Sequence, residues 1–459
     1  MNYILNSPLD VQVELTNWCN HICRHCYNYW RHITHKKLPK TSLNKKQIKI
    51  IYTYFKKEKI LSTTLTGGEP FLDPERVILC LDLSKKFGIK TDINSNLTLL
   101  NKQTIDRLSN YKDLAILTSL LSFDEATHDF ITGKKGSFTK VVENIKYCFK
   151  KGIRINVNMV LSQENLSHIY KTAEFTKSLG VETFCATRAV PSLGSSQSPP
   201  WLISTQGLLY SLDNLIKIEE KLGMHTEILG CYPKCTLLPE KKFRKFFNRI
   251  CVAGKTTLTI GPTGEVRPCS HSNKSYGNIF EDGLRKTWLR MDDWRRNEYM
   301  PEICQSCVLY ESCTCGCRIE AEFHGDIKGM DSYAVPENVE KYYVPTVKKT
   351  IPLVQVKKKY GQSNFGLNKN IILRKESFGG ILYIAGTRSF IPINQTAMDY
   401  FDSFSKNKII TYKDFIKNSK TKNKEDLLKV ASLFVKLVKR KILVKIKKGG
   451  ENSGKYKKG

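Results

Sequence analysis

The sequence predicts an α/β core followed by a Cys-rich segment and a small α+β domain. Three observations carry this reading. Strand-like and helix-like stretches alternate from residue 10 to about 195, the pattern of a parallel sheet with helices outside it. Nine of the fifteen cysteines then crowd between Cys231 and Cys317. Beyond residue 367 a hairpin pattern is followed by amphipathic helices.

In the core, strand-like runs fall at Val11–Thr16, Ser62–Thr66, Ile89–Asn94, Leu114–Leu120, Arg154–Leu161 and Val181–Thr187. Helical patterns separate them. In the pattern from Ser137 to Lys151, Val141, Val142, Ile145, Cys148 and Phe149 share one face. Another runs from Asn165 to Leu179 and stops at Gly180. A helical pattern from Leu208 to Leu222 leads into the Cys-rich segment. That segment has too few apolar residues for a core of its own, so bound metal is expected to supply folding energy. Residues 336–367 read as a linker. Gly380–Ile384 and Ser389–Ile393 then flank Ala385-Gly386-Thr387-Arg388, a hairpin signal. Asn394 caps a helix starting at Gln395, and an amphipathic helix spans Lys424–Lys439 before Ile442-Leu443-Val444. The polar tail 447–459 is expected to be disordered.

The length of 459 residues implies two or three domains. No basic segment followed by an apolar run opens the chain. The longest apolar stretch, Leu114 to Phe123, is broken by Thr118, Ser119 and Ser122, too short for a membrane span. A soluble, cytoplasmic protein is expected, its cysteines serving metal rather than disulfides. The net charge of +31 favours acidic partners. The lysines are scattered rather than gathered, so the charge reads as compositional and nucleic acid is not the expected partner.

The chemistry concentrates in two strings. Cys19, Cys23 and Cys26 form C-x3-C-x2-C directly after the first strand. Three thiolates can hold three irons of a [4Fe–4S] cube and leave the fourth open. Zinc sites usually pair two Cys knuckles, and no fourth cysteine lies near this loop. Gly67-Gly68-Glu69-Pro70 follows the second strand. Together these strings resemble the cluster loop and GGEP segment of radical S-adenosylmethionine (SAM) enzymes. The resemblance implies a partial (β/α)6 barrel over residues 1–210. It implies a cluster whose open iron chelates SAM, and cleavage of SAM to a 5′-deoxyadenosyl radical. Gly67, Gly68, Glu69 and Pro70 would face the methionine end, and Ser95 and Asn96 would form a polar SAM-contacting turn. Ser119 would stand near the ribose, although this chain continues Leu120-Leu121-Ser122 where relatives often read Leu-Asp-Gly.

The later cysteines form G-x4-C at Gly264–Cys269 and C-x2-C-x5-C-x3-C from Cys304 through Cys307 and Cys313 to Cys317. This order resembles the SPASM extension, expected over 211–335, which holds one or two auxiliary [4Fe–4S] clusters. The resemblance assigns Cys251, Cys269 and Cys317 to a first cluster, with Cys231 or Cys235 as fourth ligand. It assigns Cys304, Cys307 and Cys313 to a second, with Cys315 as a replacement or the fourth position open. The full pattern ends on another cysteine, and none follows Cys317 here. A zinc ribbon of Cys304, Cys307, Cys313 and Cys317 is the alternative.

Residues 368–446, with the string Lys375-Glu376-Ser377-Phe378-Gly379-Gly380-Ile381-Leu382-Tyr383, resemble PqqD-like domains. These are small winged-helix folds that bind leader segments of ribosomally made peptides. A nucleic-acid-binding winged helix is the alternative. The three units together imply a radical SAM peptide maturase acting on a ribosomally synthesised precursor peptide. An external donor such as flavodoxin or ferredoxin would supply electrons. The rival readings are a sulfatase-maturase-like enzyme, an RNA-modifying radical enzyme and a non-enzymatic iron–sulfur or zinc protein. Sulfatase-maturing enzymes carry Asp after the G-x4-C cysteine, where this chain has Ser270. No catalytic base or hydrogen donor is identifiable from the sequence.

Overall fold

The computed structural model describes residues 3–31, 39–195, 199–344, 352–368, 370–384, 389–402, 409–419 and 423–446. Residues 7–343 pack as one unit; residues 344–459 with the first six form another.

The first unit is built on a nine-stranded sheet. Its strands are β1 (Asp10–Glu14), β2 (Ser62–Thr66), β3 (Lys90–Asn94), β4 (Ala115–Ser119), β5 (Arg154–Leu161), β6 (Thr183–Arg188), β7 (His225–Glu227), β8 (Thr257–Ile260) and β9 (Val266–Arg267). The order is β7-β6-β5-β4-β3-β2-β1-β8-β9. Strands β1 to β6 are parallel and sequential, as right-handed strand–helix–strand units dictate. All six expected strands are present within two residues of their sequence-derived ends. Short strands then extend both edges. β7 joins β6, and β8 joins β1 in parallel before turning antiparallel into β9. The Cys-rich segment is thus stitched onto the first strand of the barrel sheet.

The strands alternate between a buried face and a half-buried one. Val11, Val13, Ile93, Ile116, Ile155, Val157 and Met159 are buried. Gln12, Asp92, Asn94, Ser119, Asn156 and Asn158 alternate with them and are half-buried. The period of two puts these polar side chains on one sheet face. Register keeps them in rows, Asn94 beside Leu117 beside Asn156, and Ser119 beside Asn158. The polar face is the lumen of an incompletely closed barrel.

The other unit has two antiparallel sheets. One has order β14-β10-β15, from β10 (Asn364–Leu367), β14 (Ile410–Thr411) and β15 (Leu443–Ile446); the other has order β11-β12-β13, from β11 (Ile371–Glu376), β12 (Gly379–Ile384) and β13 (Ser389–Asn394). The expected hairpin is present as β12 and β13, and its loop Ala385–Arg388 lies outside the described residues, as does the tail 447–459. Asn394 caps the helix Gln395–Asp402 by accepting the Ala397 amide at 2.9 Å. The helix Lys424–Lys439 has the expected ends, with Asn423 as its cap. The stretch expected to be a linker is structured in part. Leu353–Tyr360 is helical, and Val356 and Tyr360 join Phe365 of β10 and Phe434 in the apolar core of this unit. An i, i+3, i+4 apolar pattern is short in this helix because its last turn is Lys357-Lys358-Lys359. Among the described residues, no helix is long and apolar enough to cross a membrane.

Candidate functional site

The loop carrying Cys19, Cys23 and Cys26 leaves β1 at the carboxyl ends of the strands, where parallel α/β sheets place their chemistry. All three thiols are half-buried. The His21 amide donates to Cys19 Sγ at 3.4 Å, and Asn96 Nδ2 donates to it at 3.8 Å. The loop is fixed from both sides. Ile22 and Arg24 amides donate to the Thr132 and Ile131 carbonyls at 3.1 and 2.9 Å. On the other side the Gly68 amide donates to Thr16 O at 2.7 Å and the Glu69 amide to Trp18 O at 2.8 Å. A Cβ on Gly68 would lie 1.9 Å from Trp18 O, and one on Gly67 2.5 Å from Thr16 O. The two glycines are there because the chains touch. This close approach leaves a backbone cradle beside the thiols.

Glu69 is buried in this cradle. Its Oε1 accepts the Phe71 amide at 3.0 Å and Ser95 Oγ at 2.7 Å; its Oε2 accepts the Asn96 amide at 2.8 Å. Burial pushes its carboxyl up to about 7, against these three bonds. Glu69 therefore braces the turn at Ser95-Asn96 against the Gly-Gly segment. Pro70 opens the short helical turn 70–72 that Glu69 caps. Asn20 Nδ2 donates to Thr98 Oγ1 at 2.9 Å and Asn96 Nδ2 to Asn20 Oδ1 at 2.9 Å, so the Cys loop is tied to the Asn96 turn by side-chain bonds. Ser119 ends β4 on the polar lumen face, in register with Asn158.

The later cysteines fall into two groups. The thiols of Cys231, Cys251 and Cys317 lie beside one another, and Cys269 is close enough to sense the charges of Cys251 and Cys317. Contact with Cys231 holds Cys251 down at about 6, while burial pushes Cys269 up to about 12. The second group lines a cavity of about 340 Å3 and comprises Cys235, Cys304, Cys307, Cys313 and Cys315. Cys231 therefore joins the first group and Cys235 does not. Among the described residues, no three His, Cys, Asp or Glu side chains converge as ligands of a single ion. A cube takes its thiolates one per iron and spreads them around its faces, and the donor set here, all sulfur in groups of three or more, suits it.

Two buried ion pairs tie these groups to the barrel. Arg188 at the end of β6 donates to Asp331 Oδ1 at 2.8 Å and to Cys231 O at 3.0 Å, and Asp331 Oδ2 accepts the Cys317 amide at 2.7 Å. Arg188 thus holds the carbonyl of one thiol residue directly and the amide of another through Asp331. Glu14 at the end of β1 pairs with Arg267 of β9, whose guanidinium also donates to the Ser270 and Ser272 carbonyls at 3.1 and 2.8 Å. Burial pushes Glu14 up to about 7 in spite of this partner. Tyr27, next to Cys26, stacks on His271 at 4.1 Å between ring centres. These residues were not among the sequence candidates. The available signal was a single charged residue at the end of an otherwise buried strand, as at Glu14 and Arg188.

Thiol groups of this composition, a Gly-Gly cradle and a polar lumen define an iron–sulfur enzyme with its chemistry at the mouth of a partial barrel. Comparison with known proteins gives the family. A radical SAM superfamily model matches residues 13–176, and the SPASM iron–sulfur cluster-binding domain matches residues 251–308. The chain is a radical SAM enzyme with a SPASM extension. Its cofactors are a [4Fe–4S] cluster with SAM and auxiliary iron–sulfur clusters. It is 29% identical over 278 residues to the antilisterial bacteriocin subtilosin biosynthesis protein AlbA of Bacillus subtilis, a match spanning 60% of this chain and 58% of AlbA. It is 23% identical over 335 residues to the AdoMet-dependent heme synthase of Methanosarcina barkeri, covering 69% of this chain and 93% of that protein. The fold is that of Streptococcus suis SuiB, solved with its precursor peptide SuiA, with a TM-score of 0.59 at 19% identity over 72% of this chain and 76% of SuiB.

Proposed function

We propose that this enzyme is a peptide maturase that abstracts hydrogen from a ribosomally made precursor peptide. The carrying observation is the separate unit built from residues 344–459, whose three-stranded sheet β11-β12-β13 has β11 and β13 as its edge strands, the kind of edge to which a peptide strand can add. β12 is the middle strand, so the hairpin Gly380–Ile393 offers only its β13 side. Pro392 lies in β13, and proline in a sheet turns its nitrogen away from the ladder. The outer edge of β13 therefore lacks a donor at Pro392, and β11 is the edge we assign to a leader segment. AlbA's part in bacteriocin biosynthesis and SuiB's complex with a precursor peptide support the same substrate class.

In the barrel, Cys19, Cys23 and Cys26 would hold the first cluster. When bound, it supplies the electron that cleaves SAM to a 5′-deoxyadenosyl radical. The Gly67-Gly68 backbone, seated against Thr16 and Trp18 of the Cys loop, receives the methionine end of SAM, and Glu69 and Pro70 set the cradle's shape. Ser95 and Asn96, locked to Glu69, present the polar turn, and Ser119 on the lumen face meets the ribose. Cys231, Cys251, Cys269 and Cys317 would hold one auxiliary cluster. A flavodoxin or ferredoxin would deliver electrons. Tethering the leader raises the effective concentration of the core peptide at the lumen.

Removal of residues 344–459 tests this. SAM cleavage without peptide should persist, and modification of the full precursor should fall at least tenfold. Equal modification with and without the unit would remove its recruiting role. Steeply salt-dependent binding of unrelated RNA would assign the unit to nucleic acid instead.

A further inference from the structure

The cavity of about 340 Å3 in the Cys-rich segment is lined by five thiols, one more than a cube needs. The pattern that this segment resembles takes its last thiol from downstream of Cys317, where this chain has none. We propose that Cys235 closes the second auxiliary cluster with Cys304, Cys307 and Cys313, and that Cys315 is a non-ligand.

Three observations select Cys235. It comes from a separate element, Lys234–Leu237, that packs against Cys313 and lines the same cavity as the run Cys304–Cys315. Its sulfur accepts the Val335 amide at 3.4 Å, and the sulfur of Cys313 accepts the Lys234 amide at 3.2 Å. Amide bonds to sulfur favour the thiolate and are among the means by which proteins hold and tune such clusters. The Lys234 ammonium is itself partly buried and close to Cys313, which offsets the negative charge of thiolate ligands. Cys315 is placed differently. It lines not only this cavity but also a smaller one with Cys251 and Lys255. It stands in the wall between the two thiol groups, on a backbone turned left-handed at both Thr314 and Cys315.

The consequence concerns chemistry. With Cys231 completing one group and Cys235 the other, every iron in the Cys-rich segment has a protein thiolate. The open iron is then confined to the Cys19, Cys23, Cys26 loop, and a substrate thiolate finds no vacant iron in the auxiliary clusters. Their part in the reaction is reduced to passing or accepting electrons.

The test uses the full chain with Cys19, Cys23 and Cys26 all changed to alanine, reconstituted with iron and sulfide without oxygen. It should hold about eight irons, four per cube, and its dithionite-reduced paramagnetic resonance spectrum should not shift when cyanide is added. Adding Cys235→Ala should either lower the iron toward about four or leave a cluster whose spectrum shifts with cyanide. Adding Cys315→Ala should change neither the iron nor the spectrum. A cyanide shift in the starting protein, only about four irons in it, or loss of a cluster on Cys315→Ala overturns the assignment. If Cys235→Ala fails to fold by circular dichroism, the starting protein's iron count and cyanide response decide. No peptide is involved, so the result is independent of the substrate reading.

Discussion

Gly68→Ala strikes the site where two loops touch. The new Cβ would sit 1.9 Å from Trp18 O, 2.2 Å from Trp18 C and 2.9 Å from Cys19 N, all backbone atoms that no rotamer change can move. Relief requires the Gly-Gly segment to part from the Cys loop. Two backbone hydrogen bonds go with it, Gly68 N to Thr16 O and Glu69 N to Trp18 O. At about 1 kcal/mol each, plus about 1–3 kcal/mol of overpacking, the local cost is about 3–5 kcal/mol. It falls on the loop bearing Cys19, so the variant should lose the first cluster and keep the auxiliary ones. Gly88→Ala is the control. Its backbone is left-handed but nothing lies within 4 Å of the added Cβ, so it should cost about 1–2 kcal/mol and spare the cluster. Iron analysis after anaerobic reconstitution and 5′-deoxyadenosine yield with dithionite report the outcome. Full iron and wild-type SAM cleavage in Gly68→Ala would refute the claim that this contact builds the site.

Other outcomes follow from the buried charges. Asp331→Asn leaves Arg188 charged and unpaired inside the protein and should cost about 3–5 kcal/mol, read as a lower denaturant midpoint. It should also perturb the auxiliary-cluster spectrum, because Asp331 holds the Cys317 amide; an unchanged spectrum counts against the bracing role. Burial pushes the Glu69 carboxyl up to about 7 in the folded protein, above the ordinary 4.5, with no cation among the described residues to offset it. It retains a proton in the folded state that the unfolded chain has already released, so stability should fall as pH rises from about 4.5 to about 7. Glu69→Gln removes its share of that slope, up to about 3 kcal/mol, in thermal unfolding of the metal-free protein; an unaltered slope would contradict the burial argument.

The barrel was legible because β2 is a Thr-rich, β-branched run that stops at Gly67-Gly68 and β5 alternates apolar with polar residues after Gly152, and their bounds agree with the sequence reading. The helix Lys424–Lys439 was legible because a cap and a 3.6-residue pattern coincide. β7, β8 and β9 have two to four residues each. Pairing partners far along the chain create them, and no local pattern marks that. The Cys motifs announced the clusters, whereas the division of Cys231 from Cys235, four residues apart, depends on how the chain turns after β7. The Arg188–Asp331 pair spans 143 residues, a separation at which charge pairing is invisible to sequence spacing.

Hydrogen abstraction from a peptide is read out by isotope transfer. The full chain, reconstituted without oxygen, should be incubated with SAM, dithionite and a deuterated precursor peptide. Deuterium should appear in 5′-deoxyadenosine with a matching mass change in the peptide, both abolished when Cys19, Cys23 and Cys26 are replaced by alanine. 5′-Deoxyadenosine that forms at the same rate without peptide and carries no label when peptide is present would contradict it.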